Sequence, residues 1–492
     1  MSKKIKRYKT KAGAAKIKIT PPIGLEMSGF AHKERTASGK DSELYTRALV
    51  LSDNNAKVAI ASCDLLFLEK RYTHQICEKV ENETGIPAKN IMICASHTHS
   101  GPQMSYYLFG KTIPAKNKNY TEKVVDLISK SIISATENLA EAKVGISSGQ
   151  MIDGFAENSR YLLKDGTIAL VDFTRDEIVR ATGPVDPEVG VIHIRGQDKR
   201  SIAILYNYSC HACTYAENRY FADYPGIASD LLEKKFGGIA IFTPGACGNI
   251  HPVEAWLSED ALSKCSKAVE RNGERLARKI SDIIQSKNVY SKVGIDSLQE
   301  EVSVPLRKFT RLEEEDIKKT LDHQNFSKEI KEKILATYRD EFKWLKGRNK
   351  DTVNTLLQVV MIGDGLLVGI PGELFVEFGL KIKGELKNYK TFIVELANDW
   401  IGYIPTTQAF KLGGYQTWTA NSSKVSDRAG ELLVEKSLKL VAKIKGAQPI
   451  IKKKKRKKVY SGWLFIRSTQ PTCFPIANHH WQFPGLLQVH WF

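Results

Sequence analysis

Residues 91–102 read IMICASHTHSGP. An apolar run with the look of a buried strand passes straight into two histidines, one position apart, and then a Gly-Pro turn. A buried strand gains nothing from imidazoles at its tip. A strand that hands His97 and His99 to a loop is expected in an open α/β sheet, where sites assemble at the carboxyl ends of the strands. The i, i+2 spacing puts both imidazoles on one face for as long as extended geometry persists.

Working outward, residues 47–52 and 57–67 (KVAIASCDLLF) pair as a hairpin about Asp53-Asn54-Asn55, and a helix is expected near 70–84. Val124, Leu127, Ile128, Ile132, Ala135 and Leu139 share one helical face over 121–142. Strands at 202–210 (IAILYNYSC) and 238–243 (GIAIFT) bracket a helix near 225–236. A longer helix is expected over 259–286, with Val269, Leu276, Ile280, Ile283 and Ile284 on one side. LLQVVMI and LLVGI fold back on each other at Gly363-Asp364-Gly365. Residues 391–397 (TFIVELA) make the last strong strand and 426–445 a closing helix. This alternation predicts an α/β fold, mixed β-sheets with flanking helices, in a single large catalytic domain over residues 13–445. Residues 309–350 are highly charged and helical in period (RLEEEDIKKTLDHQ), which predicts a surface helical insertion.

The chain has 492 residues, 42% of them hydrophobic, enough for a large core. Its net charge of +18 is uneven: residues 1–12 carry six positive charges and residues 447–492 carry eight, with no acid in either. The body between them is therefore near neutral. The basic N-terminal extension, 1–12, and the basic, aromatic tail, 446–492 (KKKKRKK, then Trp463, Phe465, Trp481, Trp491 and Phe492), are expected to lie outside the fold, the tail disordered. Such ends suit anionic surfaces. They define one alternative, a nucleic-acid-associated protein acting through its tails. The main expectation is instead a small-molecule or lipid substrate, with transient membrane-surface contact and no specific nucleic acid. No apolar h-region opens the chain, and the most apolar stretch, Leu356 to Phe375, is broken by Asp364, Pro371 and Glu373. Cys63, Cys94 and Cys247 stand singly in strand-like runs, as free thiols would. The cytoplasm is the expected compartment.

Three further strands deliver polar residues as the first one does. His211 follows 202–210, Glu373 follows Pro371-Gly372, and Tyr403 lies beyond Asn398-Asp399. Two imidazoles and a carboxylate are the usual protein set for a catalytic zinc, with a position left for water. Bound water then reaches a pKa of about 7. By residue type alone, one of His97 and His99 binds metal while the other meets substrate. Manganese and iron accept the same donors. Cys210-His211-Ala212-Cys213 also spells a thiol site, but without a second cysteine pair the thiols read as core. A second enzyme reading is a TIM-barrel metal hydrolase, which also places His-x-His after a strand. The hairpin at Gly363-Asp364-Gly365 does not suit eight regular βα units.

The same residues carry a resemblance. SHTHSGP is similar to the THTHSGP segment of the neutral ceramidases, zinc amidases that cut the N-acyl bond of ceramide. AGAAKIKITPPIGLEMSGFA, LYTRALVL, Asn158-Ser159-Arg160 before KDGT, GPVDPEVGV, GACGNIHP, PGELF and ANDWIGYIPT follow in that family's order, over most of residues 12–445. The resemblance implies zinc held by His97, His211, Glu373 and Tyr403. It implies that His99, Arg160 and Tyr415 surround the scissile amide of an N-acyl substrate. Where the family loop reads Gly-Asp-Val-Ser-Pro, residues 248–252 read Gly-Asn-Ile-His-Pro. Asn249 thus replaces the acid and His251 the serine, which closes a serine route there and offers His251 as a proton shuttle. Secreted members carry a signal sequence and a C-terminal β-sandwich, and neither is expected here.

Overall fold

The structure is a computed structural model. It describes residues 8–30, 35–152, 155–170, 175–252, 265–287, 289–324 and 326–446. Twelve strands form two sheets. The first holds β1 (Lys11–Lys18), β2 (Tyr45–Ser52), β3 (Lys57–Cys63), β4 (Ile91–Ala95), β5 (Ala140–Gln150), β6 (Glu188–Gly196), β7 (Ser201–Tyr208) and β8 (Ile239–Pro244). Their spatial order is β8-β7-β6-β5-β1-β2-β3-β4. Neighbours are antiparallel except at the two ends, where β3 and β4, and β7 and β8, run parallel. The second sheet is β9 (Ile295–Pro305), β10 (Thr352–Ile362), β11 (Gly365–Gly369) and β12 (Lys390–Val394), in that order, with β11 and β12 parallel.

The sheets pack face to face because their inner faces are both apolar. Leu49, Leu51, Val58, Ile60, Met92, Ile192, Leu205 and Ile241 of the first meet Val360, Ile362, Leu367, Phe392 and Val394 of the second. Alternate residues of the same strands face outward. Val50, Ala59, Ala61, Ile91 and Ile93 pack under helices α1 (Lys70–Thr84) and α2 (Ala115–Glu137). Val191, Ile204, Tyr206 and Phe242 pack under α3 (Asp223–Phe236) and α4 (Cys265–Lys287). Beyond two further helices, α5 (Glu314–Asp322) and α6 (Lys328–Gly347), come α7 (Val376–Glu385), α8 (Thr407–Leu412) and α9 (Ala429–Ile444). Of these, α7 and α9 cover the outer face of the second sheet. The result is four layers, helix–sheet–sheet–helix. Strands buried on both faces are why IMICA and LLVGI read as continuous apolar runs rather than alternating ones. An open mixed sheet is not a barrel, so the TIM-barrel alternative falls.

Several boundaries move. The helix read over 121–142 runs from Ala115 to Glu137. Pro114 precedes it, and the following strand β5 starts at Ala140, so the apolar Leu139 belongs to the connection. β1 begins at Lys11, inside the segment read as extension, and Thr10 exchanges hydrogen bonds with Val293 in both directions. The segment 309–350 is helical, but Leu312, Ile317, Leu321, Ile334, Leu335 and Tyr338 give it a core of its own against Trp418 and Ala420. Residues 259–264, read as the start of α4, and the tail 447–492 lie outside the described residues. Among the described residues no helix is long and apolar enough to cross a membrane.

Candidate active site

Loops leaving the carboxyl ends of the parallel strand pairs converge at one point. After β4 the chain turns at His97, whose φ of 66° lies in the left-handed region. That costs a non-glycine residue roughly 1–2 kcal/mol. Two hydrogen bonds hold it there: the His97 amide donates to the Leu65 carbonyl at 3.0 Å, and Nδ1 lies 2.8 Å from the Leu66 carbonyl. The loop that supplies those carbonyls leaves β3 at Asp64, which is fixed by a buried ion pair with Arg47 at 2.8 Å. His211 follows β7. Its amide donates to the Ile250 carbonyl, and its Nδ1 sits 2.6 Å from the Cys247 carbonyl.

A carbonyl only accepts, so in both histidines Nδ1 carries the proton and Nε2 offers a lone pair. Both Nε2 atoms lie 3.4 Å from one oxygen, Glu373 Oε2. Glu373 comes from the other sheet. It follows β11, and residues 373–374 pair in parallel with 403–404, which sets Tyr403 beside it. Burial, then the charge of Glu373, pushes the Tyr403 phenol well above its ordinary value. The second carboxylate oxygen accepts from Trp400 Nε1 at 2.9 Å, and that indole stacks on Phe67 at 3.8 Å between centroids. Gly248 makes the approach possible: a Cβ there would lie 2.4 Å from the Glu373 carbonyl oxygen.

This is a buried meeting of acceptors. His97, His211 and Glu373 are 3% exposed or less. Neither His211 Nε2 nor Glu373 Oε2 has a hydrogen-bond partner. Buried lone pairs facing one another repel, and a cation between them removes the conflict. Tetrahedral zinc with bonds of about 2.0–2.1 Å holds its ligand atoms about 3.3–3.4 Å apart, so the spacing fits. Ligand nitrogens of His97, His99 and His211 all lie within 4.8 Å of one another. Burial pushes the Glu373 carboxyl up, but His97 and His211 more than offset this and hold it well below the usual range. His211 is pushed down by burial and then by His97. In His97, burial is outweighed by Glu373, and the imidazole is raised.

The other expected residues take distinct places. His99 Nε2 lies 3.4 Å from His97 Nε2, but its Nδ1 has no carbonyl anchor. Its own carbonyl is gripped by the buried Arg35 guanidinium. Gly29 (φ 118°) backs it so closely that a Cβ would sit 2.7 Å from His99 Cα. Burial drives His99 well below its ordinary value, followed by the charges of His97 and His211. The His251 ring lies 4.3 Å from that of His211. Tyr415 stands edge-on to Tyr403 at 5.9 Å, and burial pushes its phenol up.

Arg160, expected at the scissile amide, points its fork elsewhere. Nη1 donates to Gln416 Oε1 at 2.7 Å, and Nη2 to the carbonyls of Ala409 and Gly413. Only the buried Nε is without a partner. Asn249, standing where the family has an acid, accepts from the Val376 amide at 2.9 Å and donates to Glu377 at 3.0 Å, capping α7. Cys210 and Cys213 are buried and not disulfide-bonded, as core thiols. Sequence reasoning missed Trp400, Arg35 and Glu395. Burial pushes the Glu395 carboxyl up to about 8, and it binds the amide and thiol of Cys247 behind His211. A lone acid inside the apolar run TFIVELA was the available signal.

Fold and centre together define an α/β protein with a buried histidine–carboxylate group spaced to hold a metal ion. A family model described as neutral/alkaline non-lysosomal ceramidase, N-terminal, matches residues 10–255. The chain belongs to that family. A neutral ceramidase of Oryza sativa subsp. japonica is 27% identical over 193 residues, 35% of this chain and 24% of that protein. Neutral ceramidase 3 of Arabidopsis thaliana is 29% identical over 144 residues, 28% of this chain and 20% of that protein. The match thus spans about a quarter or less of these relatives' length. The neutral ceramidase crystal structure from Pseudomonas aeruginosa superposes with a TM-score of 0.68 at 18% identity, over 90% of this chain and 75% of that one.

Proposed function

We propose that the protein is a metal-dependent amidohydrolase that cleaves the amide bond of an N-acyl substrate, ceramide or a ceramide-like lipid, by metal-activated water. The observation that carries this reading is the convergence of His97 Nε2 and His211 Nε2 on Glu373 Oε2 at 3.4 Å. His97, His211 and Glu373, with Tyr403 as a fourth and weaker donor, would hold zinc. Bound there, the ion makes water nucleophilic near neutral pH and polarises the substrate carbonyl.

The ligand choice follows from the anchors. A metal-binding histidine normally donates its other ring N–H to a carbonyl or carboxylate. His97 and His211 do so, and His99 does not. His99 stays neutral at the rim, where it can donate to the developing oxyanion. Tyr415, whose phenol is pushed up by burial, would support the same oxygen or the leaving nitrogen. Arg160 would act mainly by holding the Tyr415 loop, and His251 would pass a proton to the departing amine. Six buried cysteines among the described residues are not disulfide-bonded, which suits a reducing compartment such as the cytoplasm.

The test is elemental analysis of the purified protein, combined with a screen of N-acyl amides of varied chain length. Wild-type protein is expected to carry about one zinc per chain. His97→Ala and His211→Ala should lose both metal and hydrolysis while keeping the fold by circular dichroism. Full zinc stoichiometry in both variants would defeat the ligand assignment.

A further inference from the structure

Residues 413–421 (GGYQTWTAN) carry Tyr415, yet only a single turn, Tyr415–Thr417, is regular. An irregular buried segment must find partners for its amides outside any helix or sheet. Here the charged insertion supplies them. Asp316 of α5 accepts from the Gly414 amide at 3.2 Å and from Trp418 Nε1 at 2.5 Å. Glu313, just before α5, accepts from the Thr419 amide at 2.9 Å and the Thr419 hydroxyl at 3.1 Å. Glu341 of α6 accepts from the Asn421 amide at 2.7 Å. Tyr338 of α6 meets the Trp418 ring edge-on at 5.2 Å. Arg160 binds the Gly413 carbonyl and the Gln416 side chain. Three carboxylates thus take the amides of Gly414, Thr419 and Asn421, and Asp316 brackets Tyr415 through Gly414 and Trp418.

We infer that Asp316 is a positioning residue for Tyr415, and that the α5–α6 insertion serves the active site by fixing the register of residues 413–421. The inference rests on the functional reading above, because it gives Tyr415 work to do. Asp316 touches no reacting atom. It holds the turn from which the phenol reaches Tyr403. An error of 1 Å in such a group is enough to slow chemistry by about 100-fold.

Two measurements on the full-length, zinc-loaded protein test this. In the first, amide hydrogen exchange is followed in wild type, Asp316→Asn and Asp316→Ala, without substrate. Exchange at 413–421 should quicken about tenfold or more in Asp316→Ala and less in Asp316→Asn, which keeps the shape and one acceptor oxygen. Peptides carrying His97 and His211 should not change. Unaltered exchange at 413–421 overturns the inference whatever the enzyme's substrate. The second is a kinetic cycle on an N-acyl amide that wild type hydrolyses. Asp316→Ala should lower kcat about tenfold or more with KM and zinc content unchanged, and the loss should vanish in a Tyr415→Phe background. An undiminished Asp316→Ala effect in Tyr415→Phe would show that Asp316 acts on the fold in general, and would overturn the assignment. A wild type that cleaves no N-acyl amide would end the functional reading instead, and the exchange data would still judge the clamp.

Discussion

Glu373 has two oxygens with two tasks: Oε2 faces the imidazoles, and Oε1 takes the Trp400 N–H. Outer hydrogen bonds of this kind fix a ligand's orientation, and losing one typically costs 10–100-fold in metal affinity. Trp400→Phe keeps a ring to stack on Phe67 but deletes the donor. Its zinc Kd, read by competition with a chromophoric chelator, should rise about 10–100-fold; a Kd within twofold of wild type would show the indole to be packing only. His97, His99, His211, Glu373 and Tyr403 were legible because polar residues at the ends of apolar runs are conspicuous. Trp400 was not, since an aromatic in an apolar neighbourhood carries no mark of its N–H. Arg160 was named only through the family resemblance; its partners are carbonyls about 250 positions away, and no local pattern reports which way a guanidinium fork turns.

Among the elements, β4, β7, β11 and β12 could be read directly, because strands buried on both faces are continuous apolar runs. β1, β5, β6 and β9 were harder. KAGAAKIK and AEAKVGISSGQ are short of the β-branched and aromatic residues that mark strands, and they form because neighbouring strands offer a ladder. β6 also places His193 fully inside, with Nε2 2.8 Å from Ser201 Oγ and Nδ1 2.7 Å from the Tyr290 hydroxyl. Burial, then Arg195, lowers its pKa to about 4. An unfolded histidine titrates near 6.5. Between these values the unfolded chain binds a proton that the folded chain refuses. The stability this group contributes is therefore complete above pH 6.5 and is lost as the pH falls toward 4, by up to about 3 kcal/mol. His193→Gln, neutral throughout, should lose less on acidification. Denaturant melts of both proteins at pH 7 and pH 4.5 will read the difference, and parallel losses would refute it. A second prediction concerns the start of α7. Asn249→Ala removes the acceptor for the Val376 amide, and N-cap losses cost about 0.5–2 kcal/mol. Because Glu373 lies just ahead of that helix, the variant should weaken zinc binding as well as lower the Tm; an unchanged zinc Kd would separate the cap from the site.

The described residues build two sheets that share an apolar interface, and the candidate metal site draws on both. His97 and His211 leave the first sheet; Glu373 and Tyr403 leave the second. A cation bound by all of them would cross-link the layers at the edge where their strands end. Without it, the same edge holds Glu373 and His211 atoms that face one another with no hydrogen-bond partner in a buried site. Metal should therefore act on global stability as well as on chemistry. A ligand that binds only the folded state stabilises it by about 4 kcal/mol at a thousand times its Kd. For a domain of this size each kcal/mol moves Tm by roughly 2–4 °C or somewhat less. Dialysis against a strong chelator should lower Tm by several degrees, zinc should restore it in proportion to the logarithm of its free concentration, and His97→Ala should abolish that dependence. The interior offers an internal control. Leu367→Ala, in the middle of the inter-sheet core, should cost about 2–5 kcal/mol, yet it leaves the ligands in place, so its Tm should fall while still rising with zinc. A wild-type Tm that ignores zinc from nanomolar to millimolar would mean that no cation joins the sheets, and the acceptors would need another partner.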